Sequence, residues 1–298
     1  MSINFGVTSN TNPIKFFERV YKDWVELVRK IFTFLAVSSL FIGGTGFFKT
    51  YIGYYMLELE PNLVISFAVF LISFCVYSLD KVADVNNDRT NMPERCGFLA
   101  GRRNMVIAYS FAAYIGALAI VWMIEPMAVP VVFIPFLANA FYGTKLISGV
   151  PRLKDIPVMK NLIVAIAWSL TTILIAGYQV LFSAPFMVGM VVYFMLIKTF
   201  IDTVLYDVRD VKGDREAGVK TMPVLLGEKK TIAALLLLNS TLIPWIMLAH
   251  ESVRPLAAIL TVYGYAYIVY FRTRRNPLVL DFIVEGEWML ATAMLLML

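Results

Sequence analysis

Two short stretches hold most of the chain's capacity for chemistry, "DVNNDR" at 84–89 and "DVKGDR" at 210–215. Extended towards the N-terminus, the first frame contains Asp80, Asp84 and Asp88, and the second contains Asp207, Asp210 and Asp214. Spacings of three and four keep each set on one face of a helix. Carboxylates so close repel one another unless a cation neutralises them. Hard oxygen donors suit magnesium, which is held by one or two carboxylates together with the phosphate oxygens of a substrate. The pattern therefore predicts two acidic clusters that clamp Mg2+ over a diphosphate. Basic side chains accompany them. Arg89 and Arg215 close the two frames, Arg209 lies inside the second, and Lys145, Lys154 and Lys160 follow one another between residues 144 and 161. Such cations bind a diphosphate and balance its charge as it leaves, and Tyr142 is a candidate contact beside them. Taken singly, the same residues also fit hydrated helix ends and membrane anchors.

Other chemistries have few residues to run on. The chain has a single histidine, and that one, His250, lies in a short loop between spans, so a histidine metal cage or a Ser-His-Asp triad is effectively excluded. Its two cysteines, Cys75 and Cys96, lack the spacing of a zinc site or a disulfide framework. Acid-base and metal work must fall to Asp, Glu, Lys and Tyr.

The elements that position the aspartates are apolar. Of 298 residues, 59% are hydrophobic and 16% charged, and runs long enough to cross a bilayer recur along the whole sequence. We read nine spans, at roughly 31–53, 62–80, 104–123, 127–147, 162–182, 185–206, 231–249, 255–271 and 278–298. The first 30 residues are too charged for a cleavable signal peptide, and 15–30 read as a basic amphipathic helix on the membrane surface. With this count, all of the 26 lysines and arginines except Lys49 and Arg254 fall on one side. By the positive-inside rule that side is cytoplasmic, and it includes the N-terminus and both acidic frames. Lys198 is counted there too. The frames follow the second and sixth spans, so they have parallel orientation and can face each other across a bundle axis. Asp202, one turn deeper than the second frame, is a candidate ligand contact or base. Glu285 and Glu287 lie inside the last span, where charge is costly.

These residues resemble the UbiA-type intramembrane prenyltransferases. "DKVADVNND" (80–88) resembles the family's first motif, N-D-x-x-D-x-x-x-D, with Asp80 and Lys81 replacing its first two residues. "YDVRDVKGDREAGVKTMPVLLG" (206–227) is similar to the second motif and its trailing loop, and "LKDIPVMKNL" (153–162) matches L-K-x-x-P-x-x-x-N at Lys154, Pro157 and Asn161.

The resemblance implies an all-α membrane protein, with nine transmembrane helices bundled around a central cavity under a cytoplasmic cap. It would be a single polytopic domain over 1–298, with an N-terminal amphipathic segment at 1–30 and pseudo-repeat halves at about 31–147 and 162–271. It also implies transfer of an isoprenyl chain from its diphosphate to a lipophilic acceptor, either an aromatic compound or a glycerol-phosphate lipid. Asp84, Asp88, Asp210 and Asp214 would hold Mg2+, supported by Asp80 and Asp207, with Lys154 acting on the leaving group. Asp80, Arg89, Tyr142, Lys145, Lys154, Asn161, Asp202, Arg209 and Arg215 would contact substrate. The expected setting is the cell membrane, among its lipids and without nucleic acid. A rival reading is a divalent-cation transporter with the aspartates as its ion site. Transport needs polar residues continuing through the midplane, and the sequence reads as concentrating them at one rim.

Overall fold

In the computed structural model, residues 13–83, 85, 93–143, 156–216, 218–273 and 276–297 are described, and all regular structure among them is helical. Five helices are long and apolar enough to cross a membrane, or six when one bent pair counts as a single span. The chain is a multi-pass membrane protein.

That bent pair is α1 (Pro13–Val37) and α2 (Leu40–Met56), which meet at 71°. The break corrects the sequence expectation of a surface helix ending at 30 and a span running from 31 to 53. Ser39 adopts the left-handed region, with φ 65°. The Lys81 ammonium donates to the carbonyls of Ala36 (2.6 Å) and Val37 (3.4 Å), which a terminating helix leaves without partners. A distant side chain thus caps the helix end.

α2 lies against α3 (Leu63–Ala83) through small residues. A Cβ on Gly46 would collide with the Ser73 hydroxyl, and one on Gly43 would come within 3.0 Å of the Phe70 ring. Small residues allow helices to approach this closely where lipid supplies no hydrophobic drive between them. Gly46→Ala should therefore destabilise the protein by about 1–3 kcal/mol, seen as a lower unfolding temperature in detergent. An unchanged temperature would mean that the two helices separate without cost.

After α4 (Pro93–Leu99), α5 (Arg103–Ile124) packs on the outer side of α3. The next segment is broken into a 3-10 turn at Pro126–Ala128, α6 (Val129–Val132) and α7 (Ile134–Gly143). Pro130 and Pro135 lack the N–H groups a continuous helix would use. α8 (Met159–Ala176) packs against α7, α2 and α9 (Pro185–Glu216). α9 runs well past the expected edge at 206, so the whole second acidic frame is helical.

α10 (Met222–Leu226) leads into α11 (Glu228–Ser240) and α12 (Leu242–Leu248). They are divided at Thr241, whose hydroxyl turns back to Leu238 O (2.7 Å) while Ser240 bonds Leu236 O (2.8 Å). α13 (Arg254–Phe271) follows. The last segment has three parts, α14 (Pro277–Leu280), a π-helical turn at Asp281–Glu285 and α15 (Glu287–Met297). Wider turns of this kind re-aim side chains and recur at functional sites.

Candidate active site

α2, α3, α8, α9 and the π-turn enclose a cavity of about 330 Å3, with Ala36 of α1, Arg95 of α4 and Ala138 of α7 closing its sides. Its rim is charged, with Asp80 in the last turn of α3 and Asp207, Arg209 and Asp210 on α9. Asp207 is only 4% exposed. Asn161 Nδ2 donates to its Oδ2 at 2.9 Å, and the Lys160 ammonium stands 3.7 Å from its Oδ1. Arg209 forks onto Asp210, with Nε to Oδ1 at 2.8 Å and Nη2 to Oδ2 at 2.6 Å. The same guanidinium lies 3.8 Å from Asp281 and 4.9 Å above the Tyr206 ring. Planar guanidinium suits such shared recognition.

Below the rim the walls become apolar and aromatic. Tyr77 stacks on Trp168 with 5.3 Å between ring centroids and 9° between planes, and Val76, Val164 and Ala167 lie beside them. Deeper still is a second polar layer. Lys49 donates to Thr199 Oγ1 (3.2 Å) and stands 3.6 Å from Asp202 Oδ2. Tyr267 donates its hydroxyl hydrogen to Asp202 Oδ1 at 3.2 Å, and Lys198 donates to the Tyr267 oxygen at 2.9 Å. Lys198 also pairs with Glu287 at 2.8 Å. Glu285 faces the cavity and accepts a bond from the Tyr206 hydroxyl at 3.4 Å.

This layer corrects two assignments from sequence. Lys49 is not an outer-loop cation and Lys198 is not a rim cation; both are buried mid-helix and paired with carboxylates. Polar residues therefore extend below one rim. Lys198 and Glu287 do not line the cavity, so the layer is closed by its own pairs rather than continuing as an open path.

The cavity brings together Asp80, Asn161, Asp202, Asp207, Arg209 and Asp210 of the residues singled out from sequence. Asp214 is half-buried further along α9, and Arg215 is exposed at its last turn; neither lines the cavity. Asp84, Asp88, Arg89, Lys145 and Lys154 lie outside the described residues, and Tyr142 falls in α7 without a described side chain. Sequence reasoning missed Arg95 and Asp281. Asp281 stands four residues before Glu285, a spacing that could have found it.

Among the described residues, no three carboxylates converge as a ready metal cage. Magnesium does not need one, because it takes few protein carboxylates and completes its octahedron with water and phosphate oxygens. The oxygen donors along this rim fit that requirement.

Residues 31–281 match the model of the UbiA prenyltransferase family. The chain is 32% identical to digeranylgeranylglyceryl phosphate synthase of Methanoculleus marisnigri over 57% of its own length and 59% of the relative's. It is 30% identical to the enzyme of the same name from Sulfolobus acidocaldarius, over 57% and 58% respectively. The chain thus spans under two thirds of the length of these curated relatives. Its fold is similar to that of a UbiA homologue from Archaeoglobus fulgidus solved bound to GPP and Mg2+. The TM-score is 0.62 at 15% identity, covering 88% of this chain and 97% of that one.

Proposed function

The chain belongs to the UbiA prenyltransferase family, and we propose that it transfers an isoprenyl chain from its diphosphate to a lipophilic acceptor inside the membrane. The observation that carries this reading is one cavity with acidic groups from α3 and α9 on its rim and aromatic walls below. A diphosphate is polar and an isoprenyl tail is not, so a donor of this kind needs both environments side by side.

Asp210, with Asp84, Asp88 and Asp214, would hold magnesium against the diphosphate, with Asp80 and Asp207 supporting them. When bound, the metal supplies Lewis-acid stabilisation of the departing anion. Arg209, Lys160 and Lys154 would offset the remaining charge. Tyr77, Trp168 and Tyr206 would flank the allylic carbon as positive charge develops there, since aromatic faces attract cations. The rim would face the cytoplasm, and the broken helices would complete nine spans in two related halves. A glycerol-phosphate lipid is the favoured acceptor, because both curated relatives are named for a glyceryl phosphate product.

The test is product analysis by mass. Purified protein in lipid should prenylate a glyceryl phosphate lipid with geranylgeranyl diphosphate, lose all transfer with a chelator and regain it with Mg2+. Transfer that persists undiminished in chelator would remove the metal from the reading, and failure with every isoprenyl diphosphate would remove the reaction.

A further inference from the structure

Two residues lining the cavity each have a buried polar atom without a hydrogen-bond partner, Ser73 Oγ and Asp202 Oδ2. Each belongs to a residue only 1% exposed. Buried polar atoms are nearly always hydrogen-bonded, and leaving a carboxylate oxygen without a donor is costly. Lys49 supplies charge to Asp202 from 3.6 Å but directs its hydrogen bond to Thr199, and Tyr267 serves the other carboxylate oxygen. Both residues face the same stretch of α2 and the same cavity. Ser73 abuts Gly46 of α2, and Lys49 stands three residues further along the same helix, on the same face. Thr45 and Glu285 complete this floor.

We infer that the floor is the subsite for the acceptor's hydroxyl group, and that Asp202 is the base that receives its proton. The inference rests on the prenyl-transfer reading and narrows it to acceptors that are alcohols. An aromatic carbon offers no hydrogen-bond donor at the reacting atom, whereas an alcohol's O–H matches an acceptor oxygen left without one. Ser73 can donate to the same alcohol oxygen and orient its lone pair. Asp202 lies five residues before Asp207, about 7–8 Å along the helix axis, which leaves room between floor and rim for the allylic carbon. In the step, an alcohol lone pair forms the new C–O bond to that carbon. The bond from carbon to the diphosphate oxygen breaks with its electron pair leaving on the diphosphate, and the alcohol proton passes to Asp202 Oδ2. An ether and a diphosphate are the products.

The experiment uses the full chain in lipid with Mg2+. Geranylgeranyl diphosphate is the donor, a glyceryl phosphate lipid bearing one geranylgeranyl chain and a free hydroxyl is the acceptor, and its deoxy analogue is the comparator. Asp202→Asn should keep donor and acceptor affinities within about threefold while kcat falls about 100-fold or more, because an amide holds a hydroxyl but takes no proton. Asp202→Glu should restore part of kcat. Ser73→Ala should raise the acceptor KM about fivefold and leave the donor KM alone, as expected for one lost hydrogen bond. The wild type should bind the deoxy analogue more weakly than the alcohol, and Ser73→Ala should not weaken analogue binding further.

Retention of more than a third of kcat in Asp202→Asn would overturn the inference, as would equal affinity for alcohol and analogue. Loss of donor affinity in Asp202→Asn would overturn it too, by placing the residue in the donor site or the fold. Transfer to an aromatic acceptor but to no alcohol would overturn it while leaving prenyl transfer standing. A wild type that uses no isoprenyl diphosphate would instead sink the reaction itself.

Discussion

Asp210→Asn should slow prenyl transfer by about 10²–10³-fold, the usual loss when one charged group facing the transition state is removed. The substitution keeps shape and hydrogen-bonding capacity but removes the charge that would face magnesium. Its present partner, Arg209, retains Asp281 at 3.8 Å and so is not left as an unpaired buried cation. The loss should appear in kcat, with a higher magnesium requirement and an unchanged unfolding temperature. Asp207→Asn is the contrast. Its carboxylate is already engaged by Asn161 and Lys160 and is nearly inaccessible, so it orients the rim and should cost about tenfold or less. Equal losses for the two variants would show that the rim does not distinguish a metal-facing carboxylate from a supporting one. Assays of both proteins across a magnesium series decide the point.

What sequence made legible follows from how each residue reports its surroundings. Asp80, Asp207 and Asp210 announce themselves because their spacing matches the helical period and ends an apolar run. Their convergence on one cavity follows from topology alone. Lys49 and Lys198 misled because a cation near the end of an apolar stretch reads as a boundary, and only the opposing Asp202 and Glu287 show it to be interior. The bend at Ser39 is capped by Lys81, a long-range contact with no local signal. Glu285 stands out as a charge inside an apolar run and Asp281 lies four residues before it, but the π-helical turn that carries both to the cavity has no signature in the sequence. Long-range pairing and irregular turns were what periodicity could not convey.

Glu287→Gln should lower the stability of the folded protein by about 3–5 kcal/mol, the penalty for stripping a buried ion of its partner. Lys198 and Glu287 are both inaccessible and 2.8 Å apart. Lys198 would keep only the Leu260 carbonyl (3.1 Å) and the Tyr267 hydroxyl (2.9 Å), two neutral acceptors for a full charge. Lys198→Met should be comparably harmful because it strands the carboxylate. The double variant Lys198→Met/Glu287→Met should recover most of the loss, since replacing a whole buried pair with apolar groups is often neutral or better. Thermal unfolding in detergent separates these cases. A double variant as unstable as either single one would mean that the network serves Tyr267 and Asp202 rather than the pair.

The same pair constrains the order in which the protein is built. A segment carrying Glu285 and Glu287 is a poor span on its own, with each charge near a helix centre opposing insertion by about 3 kcal/mol. Lys198 is already present in α9, which is synthesised earlier and, even with Lys198 and Asp202, is long and apolar enough to cross a membrane. The last segment is therefore recruited by the assembled bundle rather than by lipid. Its arrival supplies the π-turn that closes the cavity, so the site is completed only after both α9 and this segment are in place.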